Sequence, residues 1–391
     1  MKDTLSMTQI GIEKLSFYVP SQYIDLSTLA ERHGIDPAKF SRGIGQDKIS
    51  MPGHDEDIVT MAAEAARPII EEVGDEAIDT ILLATETGID QSKAAGVYVH
   101  SLLGMKPQCR IVEMKHACYA ATAGIQMAAG HVARKPWIKV LVIATDVSRY
   151  DLDSSAEATQ GCGAVAILVS AEPKLMELDT VSGCYTEDIM DFWRPNYRKT
   201  PLVDGKYSAL KYLNGVAKAW EDYQANGGRE FTSFSKFCYH LPFTRMGVKA
   251  HRHLCGINET QAQESHFSDG MIYNRQVGNC YTASLYLSLV STLENAEEDL
   301  TGKPVGLFSY GSGAVAEFFS GVVQSGYRDH LHKARHQKML NERDGLSYDD
   351  YLGMWHTPDP QDGSSVKMNN STRGHYRLAE INDHKRIYER I

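Results

Sequence analysis

The stretch Ile78-Asp79-Thr80-Ile81-Leu82-Leu83-Ala84-Thr85-Glu86 decides the fold class. Its first seven residues form a nearly continuous apolar run, the pattern of a strand buried on both faces. Lys139 to Thr145, Gly163 to Ser170 and Pro304 to Tyr310 read the same way. Ahead of them, Ile10 to Val19 reads as a strand stopped by Pro20. Helical patterns lie between: Asp57 to Glu72 with Asp57 as N-cap, Lys93 to Leu103 closed by Gly104, and Cys118 to Ala133, rich in Ala and Gly. The second half follows with an amphipathic helix over Ser208 to Tyr223, a strand over Phe234 to Tyr239 and a buried helix over Cys280 to Leu293. Each half thus runs helix, strand ending in a polar residue, small-residue helix, strand ending in a polar residue. Glu86, Cys118 and Asp146 hold the polar positions in one half, and His240, Asn279 and Tyr310 in the other. The pattern predicts an α/β fold with an internal duplication at a period of roughly 155 residues, although any α/β chain alternates such elements.

The 391 residues are 42% hydrophobic and 23% charged, ordinary globular usage that excludes a disordered, collagen-like or coiled-coil chain. The length suits two domains, or one large domain built of two halves. The halves are expected at residues 8–171 and 172–391, with a variable tail after about residue 356. A net charge of −10 argues against nucleic-acid binding, which runs on phosphate neutralisation. No apolar run approaches the ~18 residues of a membrane span, and Glu13 and Lys14 interrupt any signal-peptide core. Seven cysteines, an odd number without CxxC spacing, point to free thiols in a reducing cytoplasm. Met1 to Ser6 reads as an extension before a second start at Met7. Thr357 to Thr372 reads as a loop, and the basic tail beyond it as a solvated helix.

Four residues carry candidate chemistry. Cys118 opens a helix of small residues, where exposed amides favour a thiolate and a ligand can approach closely. Taken alone, it is equally a buried packing thiol. Glu86 directly follows a buried strand, where desolvation raises a carboxyl into the range of a general acid or base; it could also simply cap the next helix. His240, in Tyr239-His240-Leu241-Pro242, could donate to a carbonyl oxygen or be a satisfied core histidine. Asn279 could orient a carbonyl or serve as an N-cap. The pairs His251-x-His253 and His330-x-His332 have metal-like spacing but read as solvated side chains, and no metal site is expected.

Together with Ala84-Thr85-Glu86, Ala117-Cys118-Tyr119-Ala120 and Val277-Gly278-Asn279, three further motifs make the set specific: Asp191-Phe192-Trp193-Arg194-Pro195, Val203-Asp204-Gly205 and Phe308-Ser309-Tyr310-Gly311-Ser312-Gly313. From about Ile10 to about Tyr351 the chain resembles bacterial 3-hydroxy-3-methylglutaryl-CoA (HMG-CoA) synthases. The resemblance implies a thiolase-like fold, two duplicated halves in five αβαβα layers, and usually a homodimer. It implies condensation of acetyl-CoA with acetoacetyl-CoA and water to HMG-CoA, in the mevalonate route to isoprenoids, without metal or redox cofactor. Cys118 would become acetylated, Glu86 would act as base and acid, and His240 would hold the acetoacetyl group. Asn279, Tyr310, Ser312, Asp146, Tyr150, Asp191 and Ser208 would line the substrate site. Arg245 and Lys249, four apart on one helical face, would meet the CoA phosphates.

The chain departs from the family pattern in places. His116 stands where Glu is usual, Ala158 and Cys162 fall within the usual Pro-Thr-Gln-Gly-Ala-Gly, Arg245 replaces Lys, and Tyr207 replaces Leu in Val-Asp-Gly-x-Leu-Ser, read here as Val203-Asp204-Gly205-Lys206-Tyr207-Ser208. Cys162 is expected as a second thiol near the site. A ketoacyl-carrier-protein synthase would also use a Cys, His and Asn set, but decarboxylative condensation needs no base at Glu86. A carrier-protein-dependent HMG synthase differs chiefly in its docking surface, and Lys249 favours CoA. A non-catalytic binding protein would not need Glu86, Cys118 and His240 together.

Overall fold

Alternating side chains along the strands divide the interior into separate cores. Ile81, Leu83, Leu141, Ile143, Ala166 and Leu168 face one core, while Leu82, Ala84, Val142, Ala144, Val165 and Ile167 face another. Successive strand residues point to opposite faces, so the sheet carrying them is covered on both sides. The structure is a computed structural model that describes residues 9–357 and 359–391. The extension Met1 to Ser6 and the second start at Met7 lie outside the described residues.

The main strands are β1 (Gly11–Tyr18), β2 (Ile78–Ala84), β3 (Arg110–Met114), β4 (Lys139–Ser148), β5 (Gly161–Ser170), β6 (Met176–Thr186), β7 (Lys236–Tyr239), β8 (Pro304–Gly311) and β9 (Val315–Val323). They form one nine-stranded sheet in the order β7-β8-β9-β6-β1-β5-β4-β2-β3. It is two sheets joined by a short antiparallel contact between β1 and β6, Gly11 opposite Glu177 and Ile12 opposite Met176. The main helices are α1 (Ile58–Val73), α2 (Ala95–Leu102), α3 (Ala120–Arg134), α4 (Gly205–Ala225), α5 (Thr244–Ile257) and α6 (Ser284–Asn295). Ile125 and Ala128 of α3 and Leu285 and Leu289 of α6 share one core with Val142 and Ile167 on one sheet and Leu307 and Phe319 on the other. Helices α1 and α2 cover the outer face of β1–β5, and α4 and α5 cover the outer face of β6–β9. The layers therefore run αβαβα, the arrangement expected. Among the described residues no helix is long and apolar enough to cross a membrane.

Close backbone approach fixes α4 on its sheet. A Cβ on Gly183 would lie 2.1 Å from Tyr223 N and 2.2 Å from the Ala219 carbonyl. Gly183→Ala is expected to destabilise the fold by ~1–3 kcal/mol through overpacking, read as a lower denaturant midpoint with unchanged slope.

Three expectations need correction. Helix α3 starts at Ala120, not Cys118, and the buried helix after Asn279 begins with a 3-10 turn, Tyr281–Ala283, before α6. The tail is not a solvated helix but a hairpin, Tyr376–Asn382 against Lys385–Arg390. Asp383 and His384 join its strands with φ of 49° and 61°, the geometry of a tight two-residue turn. Tyr376 and Tyr388 pack into the core of α1 and α2. The Asp57 carboxylate, at the N-cap of α1, accepts from Tyr388 Oη at 2.6 Å. A register shift between Leu378 and Glu380 breaks the period-two pattern that would have marked the strand.

Candidate active site

The ends of β2, β7 and β8 and the entries to α3 and α6 converge on two cavities. One, of about 260 Å³, is lined by Cys118, Tyr150, Ser208, His240, Asn279 and Tyr310, among others. The other, of about 640 Å³, is lined by Glu86, His116 and Arg194. Phe192 and Ser312 belong to both walls. The Cys118 thiol bridges the two, donating to Glu86 Oε1 at 3.5 Å.

Asp146 holds the Glu86 loop rather than lining either cavity. It is fully buried. One carboxylate oxygen accepts from Thr85 Oγ1 at 2.8 Å, Glu86 N at 2.9 Å, Thr87 N at 3.0 Å and Thr87 Oγ1 at 2.7 Å. The other accepts from Thr282 N at 3.0 Å and Thr282 Oγ1. Its expected place among the substrate contacts is therefore corrected: no lone pair is left for a ligand. Burial, and then the charge of Asp146, raise Glu86 to about 8, against the pull of Arg194. Arg194 also donates to the Glu86 carbonyl oxygen. Asp146→Asn turns an amide against the Thr282 N–H and removes that charge. It is expected to cost ~1–3 kcal/mol of stability and to move the ionisation of Glu86 to lower pH, which denaturant titration and a pH–rate profile would show.

The backbone bends sharply before the nucleophile candidate. Ala117 has φ of 40°, rare for a residue with a side chain, and Cys118 stands two residues ahead of α3. The thiolate expected from the helix amides is not favoured. Burial, then Glu86 and Asp146, push the Cys118 thiol well above its ordinary range. Cys118 rests as a thiol that donates to Glu86.

His240 is 3% exposed. Its N–H donates to the Phe308 carbonyl at 2.8 Å, and its carbonyl accepts from Tyr212 Oη at 2.7 Å. Burial lowers the imidazole to about 3, so it is neutral. Its Nδ1 has no partner among the described residues. Asn279 Oδ1 accepts from Tyr281 N and Ser284 Oγ, both at 2.9 Å, which leaves the amide NH₂ for the cavity. Gly278 before it needs φ of 91°, and a Cβ there would sit 1.9 Å from the Gln160 carbonyl.

Asp191, Ser208 and Tyr310 form one clamp. Asp191 is buried and lines neither cavity. It accepts from Ser208 Oγ and Tyr310 Oη at 3.0 Å and from Gly313 N at 2.9 Å. Asp191 thus positions its two partners and the loop of Ser312. Tyr150 stacks edge-on against Phe192 and Tyr281, at 6.3 and 6.4 Å between ring centres. Phe192 lies within the motif Asp191 to Pro195, but residue type and spacing do not single out Phe192, Tyr281, Tyr212 or Thr282. Tyr281 and Thr282 follow Asn279 after one residue, Cys280, and that closeness is the available signal.

Arg245 and Lys249 lie exposed on one face of α5, with no ion pair among the described residues. Lys249 Nζ is 5.3 Å from the ring centre of Phe243, which lines the first cavity. Cys162 is not a second thiol at the site: it is buried, donates to the Ser50 carbonyl at 3.2 Å and lines neither cavity. His251 is not solvated but buried, with Nδ1 2.9 Å from Tyr239 Oη. His33, Asp153 and Glu157 bring ligand-type atoms within 4.8 Å of one another. Glu157 already accepts from Tyr351 Oη and Asp153 N.

Comparison with known proteins agrees with this fold. Residues 6–174 match the family described as hydroxymethylglutaryl-coenzyme A synthase N terminal, and residues 176–270 and 257–390 match its C-terminal counterpart. The chain belongs to the hydroxymethylglutaryl-CoA synthase family and has its thiolase-like fold. It is 46% identical to a hydroxymethylglutaryl-CoA synthase of Enterococcus faecalis, over 88% of this chain and 91% of that one. It is 33% identical to the polyketide biosynthesis 3-hydroxy-3-methylglutaryl-ACP synthase PksG of Bacillus subtilis, over 88% and 87%. A crystal structure of an HMG-CoA synthase complexed with CoA superposes with a TM-score of 0.93 at 39% identity, covering 98% of this chain and all of that one.

Proposed function

We propose that this chain condenses acetyl-CoA with acetoacetyl-CoA and water to give HMG-CoA and CoA. The contact between Cys118 Sγ and Glu86 Oε1 at the junction of two cavities carries the reading. Cys118 attacks the acetyl thioester carbon. Its proton passes to Glu86 and on to the departing CoA sulfur, leaving acetyl-Cys118. Glu86 then takes a proton from the acetyl methyl group, and the enolate adds to the ketone carbon of acetoacetyl-CoA. Glu86 returns the proton to the new alkoxide, and water cleaves the enzyme thioester. A carboxyl that ionises at about 8 keeps both protonation states within reach near neutrality, as a group that takes and returns a proton requires. The neutral His240 ring donates one hydrogen bond to the acetoacetyl carbonyl. The Asn279 NH₂ and the backbone amides around Cys118 and Ser312 receive developing negative charge on oxygen.

Ser208, Tyr310 and Tyr150 shape the acyl pocket. Lys249 and Arg245 meet the CoA phosphates, and no metal or prosthetic group takes part. Residues 8–171 and 172–391 act as two halves that contribute Glu86 with Cys118 and His240 with Asn279. A homodimer forms along β3, one of the two edges of the sheet, where Val112 is 50% exposed. The cysteines stay reduced in the cytoplasm, and the product feeds isoprenoid synthesis by the mevalonate route.

The test incubates the purified chain with both CoA thioesters and follows loss of acetoacetyl-CoA and appearance of HMG-CoA by mass spectrometry. The expected result is stoichiometric HMG-CoA from free CoA substrates. Turnover only with acetoacetyl-carrier protein would replace the CoA acceptor with a protein-bound one.

A further inference from the structure

A separate cavity of about 210 Å³ opens where the end of β1 meets α1 and the helix Lys333–Asn341. It shares no wall residue with the two catalytic cavities. Its wall carries Arg67, Arg335, Lys338, Arg343 and Arg373 against only Glu64 and Glu342. In a chain of net charge −10, the wall itself carries more positive than negative side chains.

Two of these cations are already paired beyond the wall, Arg67 with Glu71 at 2.7 Å and Arg373 with Asp344 at 2.7 and 2.8 Å, which leaves Arg335, Lys338 and Arg343 against Glu64 and Glu342. Glu64 is buried, accepts from the backbone N–H of His375 and lies 3.5 Å from Arg67 Nε. Glu342 reaches Lys338 only at 3.9 Å, with both side chains exposed, a pairing worth little in water. Arg335 has no ion pair within 4.0 Å among the described residues, and burial and the nearby Arg67 push its pKa down. Arg343 is 7% exposed. Its Nε donates to the Leu340 carbonyl at 3.2 Å, and one terminal nitrogen donates to Ser50 Oγ at 2.8 Å and the Gln276 carbonyl at 3.0 Å. The other terminal nitrogen is buried without a partner among the described residues. A buried guanidinium with an open donor and no carboxylate in contact is costly unless an anion completes it.

We propose that this cavity binds a small free phosphate or diphosphate anion. Guanidinium forks match the oxygen spacing of phosphate, and charge-assisted hydrogen bonds of this kind are the strong ones. The ligand needs no part of the catalytic apparatus, so the site stands whether or not the proposed reaction is correct.

Calorimetric titration of the full-length protein with inorganic diphosphate tests it. One saturable site is expected, weakening as salt rises. Arg335→Gln, at a partly exposed position, should raise Kd at least tenfold without lowering the ligand-free melting temperature. Lys338→Gln should weaken binding by a smaller factor. Lys249→Gln, beside the first catalytic cavity, should leave the affinity unchanged. Absence of saturable binding at millimolar diphosphate would overturn the proposal. So would binding lost in Lys249→Gln and kept in Arg335→Gln, which would assign the anion to the CoA-facing surface.

Discussion

Cys118→Ala is expected to abolish acetylation by acetyl-CoA and to lower kcat by about four orders of magnitude or more, because the covalent step has no substitute nucleophile. Three other thiols offer no rescue. Cys162, Cys238 and Cys280 are buried, and burial raises each above its ordinary range. The fold should be untouched. The thiol's hydrogen bond goes to Glu86, and its removal relieves a polar group from a desolvated place. Melting temperature should therefore stay level or rise slightly, the usual sign of a site built for reaction at some expense of stability. Rate and thermal denaturation measured on one preparation separate loss of chemistry from loss of fold.

Glu86→Gln is expected to slow condensation by ~10²–10⁴-fold, the range of a positioned general acid–base. Acetyl-Cys118 should still form, more slowly, and then persist because the methyl proton has no acceptor. Wild-type condensation should rise with pH until Glu86 ionises at about 8 and then level off. The variant should be flat across that range. Stability moves the opposite way. The folded protein keeps the Glu86 proton up to about 8, whereas the unfolded chain loses it near the ordinary carboxyl value. The folded state thus binds more protons between these values, so Glu86 makes stability fall as pH rises through the window. Gln carries no such cost. The stabilisation of Glu86→Gln over wild type should be larger at pH 9 than at pH 5.

Strand β2 was legible to the residue, because seven apolar-dominated positions between turn signals admit no other element. Helix entries were less so. The left-handed Ala117 delays α3 by two residues, and composition does not show a backbone bend. The contact of Glu86 with Cys118 brings together residues at the ends of successive elements, as the strand-end pattern suggested. Asp146 and Asp191 hold loops and line neither cavity, which their residue type alone does not show. A strand-end or loop carboxylate looks like a ligand contact until its donors are known, and Thr282 and Gly313 come from distant parts of the chain. The tail hairpin was hidden by its charge and by the shift at Leu378 and Glu380. The anion cavity was invisible, since its arginines come from three separated segments.

The central claim is that Cys118 carries the acetyl group on its way to HMG-CoA. Intact-protein mass spectrometry after incubation with acetyl-CoA alone, followed by peptide mapping, tests it most directly. The account predicts one added acetyl group on the peptide bearing Cys118, absent in Cys118→Ala and discharged into HMG-CoA when acetoacetyl-CoA is added. A folded protein that makes HMG-CoA with no acetyl adduct, or with the adduct on another residue, would contradict it.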